Sequence, residues 1–211
     1  MESILPIFGI IVLIFSVMVH EISHGAMALY FGDETAKRRG RLTFNPIKHI
    51  DPFGSLLLPA LLLLTSGGGF AVGWAKPVPY NPWLFSNQKW GPALAAAAGP
   101  ASNLIIAVVL ALLFRVGLST EVVSPELGPL FGAVVMINLA LAVLNSLPIP
   151  PLDGAEVLQA LVPPQSPIAN GLRSLESLGM WALPVGLLVF LLIGQPIILF
   201  LTKLLLGSTM F

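Results

Sequence analysis

The chain has 211 residues, 56% hydrophobic and 9% charged, with ten basic and ten acidic side chains and no net charge. Soluble domains carry about 25% charged residues, so this chain lacks the polar surface to cover a globule in water and reads as a membrane protein. Its scattered basic residues argue against a nucleic-acid partner, and the absence of cysteine excludes disulfides, thiolate metal sites and cysteine nucleophiles.

The first apolar run, residues 4–31, is long enough at about 1.5 Å per residue to cross a hydrocarbon core of about 30 Å. It has no basic leader and no small-residue cleavage site, so a membrane helix is expected rather than a signal peptide. Inside it lies His20-Glu21-Ile22-Ser23-His24, two imidazoles and a carboxylate where a bilayer makes each of them costly. In a helix, His20 and His24 share a face and can each present a ring nitrogen to one metal ion. Glu21 points aside, placed to take a proton from an attacking water without being a ligand. The spacing predicts zinc hydrolysis. A helix that merely buried these three groups would need a partner for each.

Gly32-Asp33 ends the run, and residues 33–50 hold Lys37, Arg38, Arg39, Arg41 and Lys48, half of the basic residues in the chain. By the positive-inside rule this loop is cytoplasmic, the N-terminus is extracytoplasmic, and His20 to His24 lie in the cytoplasmic half of the first helix. Residues 53–66 are apolar, but they reach only about 21 Å as a helix and contain Pro59, so a re-entrant hairpin and a full span are both open. Gly67 to Gly69 read as a turn with no phosphate-binding pattern. The proline-rich run Gly73 to Pro82 predicts extended backbone, with Lys76 as interface structure and Trp74, Tyr80, Trp83 and Trp90 at headgroup level.

Residues 91–117 make a second full span, opening on small residues that allow close helix approach. The loop 118–129 has Glu121 and Glu126 but no Lys or Arg, which suits the outer face. A third span, about 130–147, runs into Asn145-Ser146-Leu147-Pro148-Ile149-Pro150-Pro151-Leu152-Asp153-Gly154. The prolines stop the helix, and a carboxylate at Asp153 would complete a two-His, one-carboxylate zinc site with a fourth position open. Glu156 and His49 are rival ligands; Asp153 is favoured because glycine and prolines fix its position. Taken alone, Asp153 also reads as the N-cap of a helix running to Leu161. Asn138 and Asn145 lie seven apart on one face, and interhelical hydrogen bonding explains such a pair as well as function does. Asn145, nearer Asp153, is the candidate for steadying a developing oxyanion. Polar residues from Asp153 to Glu176 suit the cytoplasm, and the final stretch, 178–206, interrupted at Gly194-Gln195-Pro196, is one kinked helix or two half-helices. A metal shared by His24 and Asp153 requires that 53–66 make no net crossing.

These elements predict an all-α integral membrane bundle of about four to five transmembrane segments, with a re-entrant or short extended segment between the first and second long spans, in a single domain over residues 1–211. The chemistry predicts a zinc-dependent endopeptidase with one Zn2+ per chain. Its partners are the lipid bilayer and a membrane protein or transmembrane peptide substrate, unwound locally because helical amides are internally bonded. Residues 67–82 are the candidate for holding that peptide by strand addition. The alternatives are a metal-binding or transport protein using the same histidines, which would need further intramembrane ligands, and a scaffold that binds helices without cutting them. Nothing in the sequence sets an oligomeric state.

His20-Glu21-Ile22-Ser23-His24 in a first membrane helix, Ala98-Gly99-Pro100-Ala101-Ser102-Asn103 in another, and Asn145 through Asp153-Gly154 closing a third resemble the site-2 protease family of intramembrane zinc metalloproteases. The run Gly73 to Pro82 looks like the compact prokaryotic branch of that family, and the resemblance spans roughly residues 15–160. It implies that His20, His24 and Asp153 are zinc ligands, Glu21 the catalytic base and Asn145 a substrate or oxyanion contact, in a multi-pass protein of the cell membrane. Neither an inserted periplasmic module nor a C-terminal nucleotide-sensing domain, which some members carry, is expected in these residues.

Overall fold

A computed structural model describes residues 4–65 and 73–207, and it is helical with no strand among them. The helices are α1 (Leu5–Tyr30), α2 (Thr35–Arg38), α3 (Leu58–Thr65), α4 (Trp90–Ser119), α5 (Gly128–Asn145), α6 (Asp153–Leu161), α7 (Pro167–Glu176), α8 (Leu183–Val189) and α9 (Gln195–Leu206). Four stretches are long and apolar enough to cross a membrane: Leu5–Tyr30, Trp90–Ser119, Pro125–Asn145 and Leu183–Leu206. The expected helical membrane bundle is therefore present.

α1 ends where Gly32 takes φ +98°, a left-handed conformation that glycine adopts without the Cβ penalty, and Asp33 N–H returns to the Ala28 carbonyl at 3.0 Å. Its inner face carries Ser16, Met18, His20, His24, Gly25 and Ala28, while Ile7, Ile10 and Ile14 are exposed on the other side. α4 is the central helix, packed along both α1 and α5. Alanines and glycines on its inner side let the backbones approach closely. The apolar core lies toward the far end of the bundle, where Phe114, Val135 and Leu139 are fully buried against Ile198 and Leu206 of α9.

The final stretch resolves as one span. Between α8 and α9 the backbone widens into π-helical turns over Phe190–Gly194, which absorb Pro196 without breaking the helix in two. The short apolar segment is capped by Asp51, which accepts from Phe53 N–H at 3.1 Å and Gly54 N–H at 2.6 Å. Its start is joined to the extended run beyond it: Trp74 N–H donates to the Gly54 carbonyl at 3.1 Å, and Ser55 Oγ donates to the Trp74 carbonyl at 2.8 Å. The chain that leaves beside Gly54 is thus back beside it by Trp74. Of the proposed peptide-holding stretch 67–82, residues 67–72 lie outside the described residues.

Candidate metal centre

His20 and His24 sit two and one turns before the last turn of α1, about 15 and 9 Å from its end at 1.5 Å per residue. Both are 6% exposed. The Pro148 to Leu152 turn brings α6 back against α4, and Gly154 makes this possible: a Cβ there would strike the carbonyls of Ser146 and Leu147. Asp153 is the first residue of α6, with Leu152 as N-cap and no side-chain cap bond, so the capping role does not hold. Instead its Oδ2 lies 3.2 Å from His20 Nε2 and 3.5 Å from His24 Nε2.

Hydrogen bonding on the far side of each ring fixes what these nitrogens present. His24 Nδ1 is 2.7 Å from the Ala95 carbonyl, which can only accept, so Nδ1 carries the proton. That carbonyl lies on α4, one turn before Gly99 and Pro100. His20 Nδ1 is 2.6 Å from Asn103 Oδ1 and is likewise the donor. In the neutral rings both Nε2 atoms then carry lone pairs, and both point at a carboxylate oxygen that is buried with no hydrogen-bond partner. Three electron-rich atoms within 4.8 Å of one another repel unless a cation lies among them. Two imidazoles and a carboxylate in that arrangement fit zinc. Gly99 makes the wall of the site: a Cβ there would sit 2.7 Å from His20 Nε2 and closer still to His24 Nε2.

Glu21 is brought beside the site but not into the ligand group. Its Oε2 accepts the main-chain N–H of Val78 at 2.7 Å. Val78 belongs to an extended strap, residues 73–81, laced to the site end of the bundle by main-chain contacts. Lys76 N–H donates to the His49 carbonyl, and buried Arg41 donates to the carbonyls of Lys76 and Pro77 at 2.6 and 3.2 Å. The N–H groups of Trp74, Lys76 and Val78 are thus already used, and Pro77 and Pro79 have none. Little donor capacity is left here for a ladder with an added strand.

Of the rival ligands, His49 donates Nε2–H to the Thr43 carbonyl, 2.9 Å away, in the basic loop, and Glu156 accepts from the Tyr80 hydroxyl at 2.5 Å. Neither joins the group of three. Burial pushes the Glu156 carboxyl upward, only partly offset by the Tyr80 bond, and burial together with the Glu156 charge pushes the Tyr80 hydroxyl up as well. Asn145 ends α5 half-buried and donates its amide to the Leu141 carbonyl at 3.0 Å. Asn138 is fully buried in hydrogen bonds between helices. Sequence reasoning missed four participants: Asn103, the Ala95 carbonyl, Gly99 and the Val78 N–H. Asn103 and Gly99 were visible only as members of the Ala98 to Asn103 run. A cavity of about 820 Å³ opens beside α6, lined by Pro82, Gln88, Pro150, Leu152, Glu156 and Gln159 among others.

Comparison with known proteins identifies relatives of the chain. The family described as Peptidase family M50 matches residues 8–180. "Putative zinc metalloprotease YwhC" of Bacillus subtilis is 41% identical over 167 residues, 77% of this chain and 72% of that protein. Rip2 of Mycolicibacterium smegmatis, named in the same words, is 34% identical over 154 residues, and Rip2 of Mycobacterium tuberculosis (strain Erdman) 31% over 176. These matches take in 72% and 83% of this chain but only 56% and 63% of the Rip2 proteins. No solved structure matches the chain.

Proposed function

Because the chain belongs to peptidase family M50, we propose that it is a zinc-dependent endopeptidase hydrolysing peptide bonds of membrane-embedded substrates near the cytoplasmic side. The convergence of His20, His24 and Asp153, with Glu21 next in sequence to the first of them, carries this reading. Zinc held by those three residues supplies Lewis acidity to the scissile carbonyl and acidity to the attacking water. Glu21 takes that water's proton on its carboxylate and hands it to the leaving amine, so it ends the cycle ionised as it began. Asn145 offers its second amide N–H to the developing oxyanion, the first being held by Leu141. The low exposure of both imidazoles keeps bulk water from competing, which strengthens each of these interactions.

A transmembrane substrate must open a few helical turns before its amide reaches the metal. Its chain beyond the cut then has a path in the cavity beside Leu152 and Glu156, which shares α6 with Asp153. The basic loop that carries Arg41 and His49 packs at this same end of the bundle, which under the positive-inside rule supports a site in the cytoplasmic half of a multi-pass cell-membrane protein with its N-terminus outside. A transport function would need a succession of ligand clusters, and among the described residues there is one.

Metal analysis of the purified protein tests the reading, with His20→Ala, His24→Ala and Asp153→Ala alongside and cleavage of a transmembrane peptide in proteoliposomes as the second readout. One zinc per chain, lost in each variant together with cleavage, is expected. Zinc retained in all three variants, or a zinc-loaded wild type that leaves transmembrane peptides intact, would overturn it.

A further inference from the structure

Behind His20 runs a polar chain that crosses three membrane helices. Asn103 on α4 places Oδ1 2.6 Å from His20 Nδ1 and donates Nδ2 to the Ser16 carbonyl at 3.2 Å and to Asn138 Oδ1 at 2.9 Å. Asn138 on α5 donates its own amide to Ser16 Oγ and to the Val134 carbonyl, each at 2.9 Å. Asn103 and Asn138 are wholly buried and Ser16 is 4% exposed.

The direction of this chain is dictated rather than chosen. The Ser16 carbonyl can only accept, so the Asn103 NH2 must face it, and the amide oxygen must therefore face His20. Only an Nδ1–H can answer that oxygen, which leaves Nε2 with its lone pair toward Asp153 Oδ2 at 3.2 Å. Two asparagines placed only to join helices would be satisfied by bonding each other and the backbone. Here one of the two spends its single oxygen on a ring that faces the metal site.

We propose that Asn103 is a positioning residue of the zinc site, holding His20 in the Nδ1–H tautomer with its ring at the ligating angle, and that Asn138 and Ser16 hold Asn103. This rests on the proposed function only in taking zinc to be the ion. Orienting partners of metal-bound imidazoles typically contribute about 10- to 100-fold to metal affinity.

The test uses the full chain in lipid nanodiscs, reading zinc affinity by chelator competition and the absorption bands of the cobalt-substituted protein, with thermal unfolding as the control for folding. Asn103→Leu is expected to weaken zinc binding about 10- to 100-fold and to shift the cobalt bands. Asn103→Asp keeps an acceptor for His20 and should recover most of that loss. Asn138→Leu unties Asn103 without removing its oxygen and should fall between. If Asn103→Leu does not fold, Asn103→Ala, which leaves space but no fixed acceptor, carries the same expectation. Wild-type affinity and an unchanged cobalt spectrum in the folded Leu or Ala variant, or an Asp variant as weak as either, would reduce the network to interhelical bonding and overturn the proposal. Peptide cleavage is not among the readouts. A zinc-binding protein that cuts nothing would therefore sink the proposed function and leave this inference standing.

Discussion

The main-chain N–H of Val78 donates to Oε2 of Glu21 at 2.7 Å, joining residues 57 positions apart and setting the strap directly on the group proposed as the base. A carboxylate with two oxygens can keep this bond on one and work with the other. The strap therefore orients Glu21.

Glu21→Gln preserves an oxygen for Val78 N–H but cannot take a proton. The variant should fold, hold one zinc per chain and lose cleavage by about 100- to 10,000-fold. Metal analysis beside a proteoliposome cleavage assay checks this; cleavage at the wild-type rate would remove Glu21 from the mechanism.

Gly99→Ala places a methyl 2.7 Å from His20 Nε2 and nearer still to His24 Nε2, on the nitrogens that face the ion. Backbone on one side and a fixed ring on the other leave little to yield. We expect zinc content to fall to a small fraction of one per chain although no ligand has been changed. A fully loaded Gly99→Ala protein would show that the rings turn aside freely, against the tight anchoring described above.

Tyr80→Phe removes the 2.5 Å hydroxyl bond to Glu156 that ties the strap to α6. A hydrogen bond to a charged group contributes about 1.5–3 kcal/mol, so amides in residues 73–81 should exchange about tenfold faster or more, with zinc content unchanged. Hydrogen-exchange mass spectrometry of wild type and variant decides the point. Identical protection would mean that Arg41 and the main-chain bonds hold the strap alone.

Asp33 gives a prediction in pH. Burial would raise its carboxyl, but the Thr35 hydroxyl and the N–H groups of Asn81 and Thr35 outweigh this and hold it below the usual carboxylate range. A depressed value means that the contribution is present above the unfolded value of about 4 and is lost as pH falls through the lower folded value. The unfolding midpoint of wild type should exceed that of Asp33→Asn by a few degrees at neutral pH, about 2–4 °C per kcal/mol, and the gap should close in acid. A gap that persists unchanged to pH 2 would exclude the linkage.

What the sequence makes legible here is what a helical or apolar period can carry. Three of the four spans follow from uninterrupted apolar length, and the His20 and His24 pair from a four-residue spacing on one helix. Asp153 follows from a carboxylate at a proline-broken end. The end of the third span shifts from 147 to 145, and Gly194-Gln195-Pro196 is accommodated by widened turns instead of a break. The rest of the site is main chain and close approach. The Ala95 carbonyl and the Val78 N–H belong to residues whose side chains carry no chemistry, and Gly99 acts by having no side chain at all. Asn103 meets His20 across 83 positions, a pairing that no local pattern announces.

The two imidazoles are braced differently. His24 leans on the carbonyl of Ala95, a main-chain group that every residue type carries, so no loss of side-chain chemistry there deletes the brace. His20 leans on an amide that one codon change removes. Loss of metal by gradual drift in sequence should therefore begin at the first histidine, with the second keeping its aim long after its neighbour has lost its own.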